Sequence, residues 1–139
     1  MILFVDDEKH KMDSYLRELR LSFPGVRFES TVDAALALIE GQGSDIEVLI
    51  LDVSMAPGRA FKDRLGAGLM TGVHFYGRVR EMLPDLPVVV FTNVTNEKVR
   101  QEFDGDDKCR FLNKEDYLPF ELAQVLREIL GPTPKEAEE

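Results

Sequence analysis

The chain has 139 residues, 44% of them hydrophobic, and a formal net charge of −9. That is the size of one soluble domain around one core, and no apolar run approaches the ~20 residues of a membrane span. The acidity argues against nucleic-acid binding through a broad basic face, because phosphate contacts need clustered Lys and Arg; it serves solubility instead. Cys109 stands alone and cannot form an intrachain disulfide, and the chain opens without a basic, apolar, small-residue leader. Both features fit a reducing cytoplasm.

Short apolar runs alternate with segments of helical period along the chain. "ILFV" (2–5) reads as a first strand, and residues 9–22 place Met12, Tyr15, Leu16 and Leu19 on one helical face. Pro24-Gly25 ends that helix, "VRFES" (26–30) follows as a short strand, and residues 31–40 form a second helix with Val32, Ala35, Leu36 and Ile39 inward. "IEVLILD" (46–52) is the third strand. Residues 72–83 give a third helix with Phe75, Val79 and Met82 or Leu83 inward, and "VVVFTN" (88–93) a fourth strand. Residues 95–103 suit a short helix, broken by "DGDD". "CRFLN" (109–113) is a fifth strand, and residues 116–130 a last helix with Leu118, Leu122, Val125, Leu126 and Ile129 inward. A polar tail, 132–139, follows. Five β-α pairs with continuously apolar strands predict an α/β domain: a doubly wound, five-stranded parallel sheet with helices on both faces.

Ligands of such sheets bind beyond the carboxyl ends of the strands. Asp6 and Asp7 follow the first strand, Asp52 ends the third, Thr92 ends the fourth and Lys114 follows the fifth. Singly, each has a plain reading as a helix cap, a turn residue or a solvated lysine. Jointly they put three carboxylates, a hydroxyl and an ammonium at one sheet edge. An acidic cluster of that kind needs a cation, and three carboxylates with carbonyls and waters suit Mg2+.

The motifs "FVDDE", "LILDVSM", "PVVVFTN" and "FLNKED" resemble those of the receiver domains of two-component response regulators, over residues 2–130. The resemblance implies the flavodoxin-like receiver fold with strand order 2-1-3-4-5, residues 1–131 forming the domain. It implies Asp52 as phosphoacceptor, Asp7 as direct Mg2+ ligand, Asp6 as a ligand through water, and the backbone carbonyl of Ser54 completing the metal site. Thr92 matches the switch hydroxyl, Lys114 the phosphate-pairing lysine and Phe111 the switch aromatic.

Three features depart from the family pattern. Asp52 and Thr92 are 40 residues apart, roughly ten more than usual by that resemblance. The excess is an insertion at about 56–71 that carries Arg59, Lys62 and Arg64, read as a basic lid or partner contact, with a tolerated surface insertion as the plainer alternative. Gly72 best matches the family's glycine beyond it. Glu115 stands where the family has Pro after the lysine; a cis bond there would cost about 2.5–4 kcal/mol, so a trans bond and a reshaped loop are expected. The switch aromatic is Phe rather than Tyr and has no hydroxyl. His10 and His74 lack partners at metal-ligand spacing, and Cys109 reads as a buried small hydrophobe.

The resemblance implies a phosphorylation-controlled signalling switch, a phosphoacceptor rather than a turnover enzyme, loaded by a histidine kinase or histidine phosphotransfer protein. With no DNA-binding or catalytic region after Leu130, output is expected through protein contact or phosphorelay to an unidentified target. Resemblance also allows a homodimer through the fourth and fifth helices. The alternative is a receiver-shaped binding module that acts without phosphorylation, against which Asp52, Thr92 and Lys114 count. A Mg2+-dependent hydrolase like the haloacid dehalogenase-like phosphatases is disfavoured: these carry a second acid two residues after the nucleophile, where this chain has Ser54.

Overall fold

Three strands are apolar up to their carboxyl ends because they are covered on both faces. In a computed structural model that describes residues 1–55, 67–94 and 96–131 (without the side chains of 67–70), these are β1 (Ile2–Val5), β3 (Val48–Leu51) and β4 (Val88–Thr92), each buried throughout. β2 (Val26–Glu29) and β5 (Cys109–Asn113) flank them and are only partly buried. All neighbours pair in parallel, in the order β2-β1-β3-β4-β5. Doubly wound topology and the 2-1-3-4-5 order are therefore as expected from the sequence.

Side chains alternate across the sheet with a period of two. Ile2, Phe4, Val48, Ile50, Val89 and Phe91 face one layer, built from α1 (Lys9–Ser22) and α5 (Pro119–Leu130). Leu3, Val5, Leu49, Leu51, Val88 and Val90 face the other, built from α2 (Val32–Gln42), α3 (Ala67–Met82) and α4 (Glu97–Gln101). α1 buries Met12, Leu16 and Leu19, the stripe its spacing predicts, and the Thr31 hydroxyl caps α2 by accepting from the Ala34 N–H.

Several boundaries and faces differ from the sequence expectation. α3 begins at Ala67, so the last part of the 56–71 insertion is helical; residues 56–66 lie outside the described residues. In α2, Leu38 is buried and Leu36 only partly so. α4 is a short helix of five residues, capped by the Asn96 carboxamide. The last helix starts at Pro119, not 116. Leu118 is its extended N-cap residue and points to solvent, 59% exposed, rather than inward. Glu121 reaches back to accept from the Leu118 N–H, and Pro119 occupies the first helical position, where its missing N–H costs nothing. Cys109 is half-buried, which pushes its thiol up to about 12.

Candidate functional site

Register decides what meets at the carboxyl edge. Val5 pairs with Leu51, so the next residues, Asp6 and Asp52, leave the sheet side by side, and the Asp52 N–H donates to the Val5 carbonyl. Thr92 pairs with Asn113, which delivers Lys114 beside Thr92. Asp6, Asp52, Thr92 and Lys114 are all buried, while Asp7 is exposed.

Lys114 Nζ lies 2.9 Å from Asp52 Oδ2 and 2.7 Å from Asp6 Oδ2. The first contact is an aligned hydrogen bond. The second is a close ion pair of poorer hydrogen-bond alignment. Asp52 Oδ1 accepts from the Thr92 hydroxyl at 2.7 Å and from the Ser54 N–H at 3.1 Å. The Thr92 hydroxyl is thus already engaged at the Asp52 carboxylate. Asp6, Asp7 and Asp52 each offer one carboxylate oxygen, all within 4.8 Å of one another.

One ammonium serves three carboxylates. Asp7, though exposed, is partly desolvated, and this, then the charges of Asp52 and Glu8, raises its pKa. Burial likewise raises Asp6, and Lys114 offsets only part of this. Burial alone would lower Lys114, but Asp6 and Asp52 outweigh it and its pKa is raised. Three carboxylates beside one ammonium leave the cluster short of positive charge, and its donor set is all oxygen, which fits a hard divalent cation.

A hollow of about 190 Å³ opens over Asp52, lined also by Glu8, Ser54, Thr92, Asn93, Val94 and Lys114. Glu8 escapes sequence reasoning although it completes "FVDDE"; its position one residue beyond the acidic pair was the available signal. Exposed Ser54 sits where its N–H braces Asp52. Arg59, Lys62 and Arg64 lie outside the described residues. Among the described residues no peptide bond is cis, so the bond to Glu115 is trans, and Lys114–Asp116 form a 3-10 turn.

Phe111 stands apart from this hollow. It is half-buried on β5, with its ring 5.8 Å from that of Phe103 and the Arg100 guanidinium 5.6 Å over it.

No family model and no curated protein matches the chain. Solved structures do. A CheY-like response regulator receiver domain protein from Methanospirillum hungatei superposes with a TM-score of 0.71 at 19% identity, over 91% of this chain and 90% of its own. The receiver domain of NtrX from Brucella abortus gives 0.71 at 23% identity, over 94% and 98%. The BeF3-activated receiver domain of DrrB from Thermotoga maritima gives 0.66 at 20% identity, over 93% and 95%. Sheet order, helix placement and these superpositions together establish that the chain has the fold of response-regulator receiver domains.

Proposed function

We propose that the chain is a phosphorylation-controlled signalling switch of two-component type, with Asp52 as its acceptor. The observation that carries this reading is the Asp52 carboxylate held between Lys114 Nζ at 2.9 Å and the Thr92 hydroxyl at 2.7 Å, beside Asp6 and Asp7 at the mouth of an open hollow. Asp52 attacks phosphorus as a carboxylate: an O–P bond forms on it while the N–P bond to a donor phosphohistidine breaks and the imidazole leaves. Asp6, Asp7 and Asp52, with the Ser54 carbonyl, would hold Mg2+, which when bound screens the repulsion between carboxylate and phosphoryl oxygens. Lys114 pairs with the phosphoryl group as a point charge. The Thr92 hydroxyl, which donates to Asp52 before the reaction, is in place to donate to the phosphoryl oxygen after it. Phe111 reports the change on the face made by α4, β5 and α5.

The donor class is a histidine kinase or histidine phosphotransfer protein in the cytoplasm, and output passes through protein contact or relay. Intact mass after treatment with acetyl phosphate and Mg2+ tests the proposal. One added phosphoryl group is expected on the wild type and none on Asp52→Asn. No mass gain with any donor would overturn it in favour of a binding module that acts without phosphorylation, and a gain on the variant would mean a different acceptor.

A further inference from the structure

A second polar cluster, remote from the acidic hollow, joins α3 to the chain between α4 and β5. Asp106 Oδ2 accepts from the Tyr76 hydroxyl and, at 2.7 Å, from Arg80 Nε. Asp106 Oδ1 accepts from the Lys108 N–H at 2.9 Å. Arg80 Nη1 also donates to the carbonyls of Leu83 and Leu86, at 3.1 and 2.6 Å, and its guanidinium lies over the Tyr76 ring at 5.4 Å. Both α3 partners are therefore held from more than one side.

The same residues build an aromatic wall. Tyr76 meets Phe103 edge to face at 4.8 Å, and Phe103, only 3% exposed, meets Phe111 at 5.8 Å. Asp106 holds Phe103 twice: its N–H donates to the Phe103 carbonyl at 3.2 Å, and its carboxylate pins the Tyr76 ring against the Phe103 ring. Phe111 rests between this fixed wall and the Arg100 guanidinium, at the side of a hollow of about 270 Å³. A ring resting on a close-packed neighbour follows that neighbour's position, because interiors transmit small displacements rather than absorb them.

We propose that the Asp106 clamp positions Phe111, with Tyr76 and Phe103 as the intervening rings, so that α3 and the switch face move as one unit. The consequence for signalling rests on the switch reading above; the positioning itself does not. Tyr76, Phe103 and Asp106 act through Phe111 and none of them lines the acidic hollow, so the chemistry at Asp52 is expected to be spared.

The test follows the Phe111 ring signals by NMR in protein labelled at phenylalanine, assigned with Phe111→Leu, free and with Mg2+ plus BeF3. Asp106→Ala removes the clamp. Tyr76→Phe keeps the ring wall and loses one hydroxyl, and serves if Asp106→Ala does not fold. Arg78→Ala, exposed on the same helix, is the control. Asp106→Ala and Tyr76→Phe are expected to displace the free Phe111 signals in the same direction, with Arg78→Ala superposing on the wild type. The BeF3 concentration at half-saturation should change at least twofold in Asp106→Ala, while phosphoryl uptake from acetyl phosphate persists. Phe111 signals unmoved in both clamp variants, or moved as far by Arg78→Ala, would overturn the proposal. A wild type that takes up neither phosphoryl nor BeF3 sinks the switch reading instead, and the free-protein comparison still decides the clamp.

Discussion

Four residues at the carboxyl edge use one local device. Asp6 Oδ1 accepts from the Glu8 N–H, Asp52 Oδ1 from Ser54, Thr92 Oγ1 from Val94 and Asn113 Oδ1 from Glu115, always two residues on. Each side chain closes its own turn, as short polar residues do. Turn former and site residue are thus one role at Asp6, Asp52 and Thr92, which is why neither reading alone explains their placement. The charge balance around Lys114 predicts opposite outcomes for its partners. Lys114→Gln leaves two buried carboxylates without their cation and should cost about 3–5 kcal/mol in denaturant unfolding. Asp6→Asn keeps the acceptor for Glu8 and leaves a single Lys114–Asp52 pair, so without metal it should stabilise by on the order of 1 kcal/mol. Mg2+ at a hundredfold excess over its dissociation constant should stabilise the wild type by about 2.7 kcal/mol, and Asp6→Asn should lose most of that gain. Thermal midpoints with and without Mg2+ check both. The candidate site was legible because each of its residues ends an apolar run. Glu8 was not, because an acid at a helix start has the same appearance whether or not it faces a hollow.

Among the elements, α3 meets the residues that follow Asp52 backbone to backbone. The Gly72 N–H donates to the Val53 carbonyl at 3.0 Å, and a Cβ on Gly72 would lie 2.2 Å from the Val53 Cα. Only glycine permits this approach, since the obstacle is backbone and cannot turn aside. Gly72→Ala should therefore destabilise by about 3 kcal/mol in chemical unfolding, and should also slow phosphoryl uptake, because Val53 adjoins Asp52. The three central strands were legible from runs too apolar for a half-exposed sheet, and the α1 stripe from its period. Helix starts were less so. Leu118 fits the inward pattern of α5, yet Pro119 sets the helix to begin after it, and its extended backbone turns the side chain to water. Ala67–Thr71 carries no polar cap signal before it, so the start of α3 had nothing in the sequence to mark it.

At the scale of the molecule, contacts between distant positions complete what the sheet begins. Tyr15 in α1 donates to the Tyr117 carbonyl at 2.6 Å, and Tyr76 and Arg80 hold Asp106 across 30 and 26 residues. Separations of that size follow no period, so these ties were beyond sequence reading, whereas the parallel, doubly wound topology followed from crossover rules and the strand order from the resemblance to receiver domains. The clamp carries a pH signature. Burial would raise the Asp106 pKa, but hydrogen bonds from Tyr76 and Arg80 outweigh it and hold it below 3.8. The unfolded chain then binds the proton first as pH falls, so the stability this group contributes is present above about 3.8 and lost as pH falls through its lower folded value. Asp106→Asn should be about 1–2 kcal/mol less stable than the wild type near neutrality, and the two unfolding curves should converge in strong acid.

The contact between Gly72 and Val53 has one more consequence. It ties the helix that follows 56–66 to Val53, next to Asp52, while Val5 and Ser54 brace Asp52 itself. These hydrogen bonds hold Asp52 from both sides of that stretch, so a change in its length is expected to leave Asp52 in place. Evolution, or an engineer grafting a peptide there, can lengthen or shorten the connection and leave the Asp52 carboxylate in register.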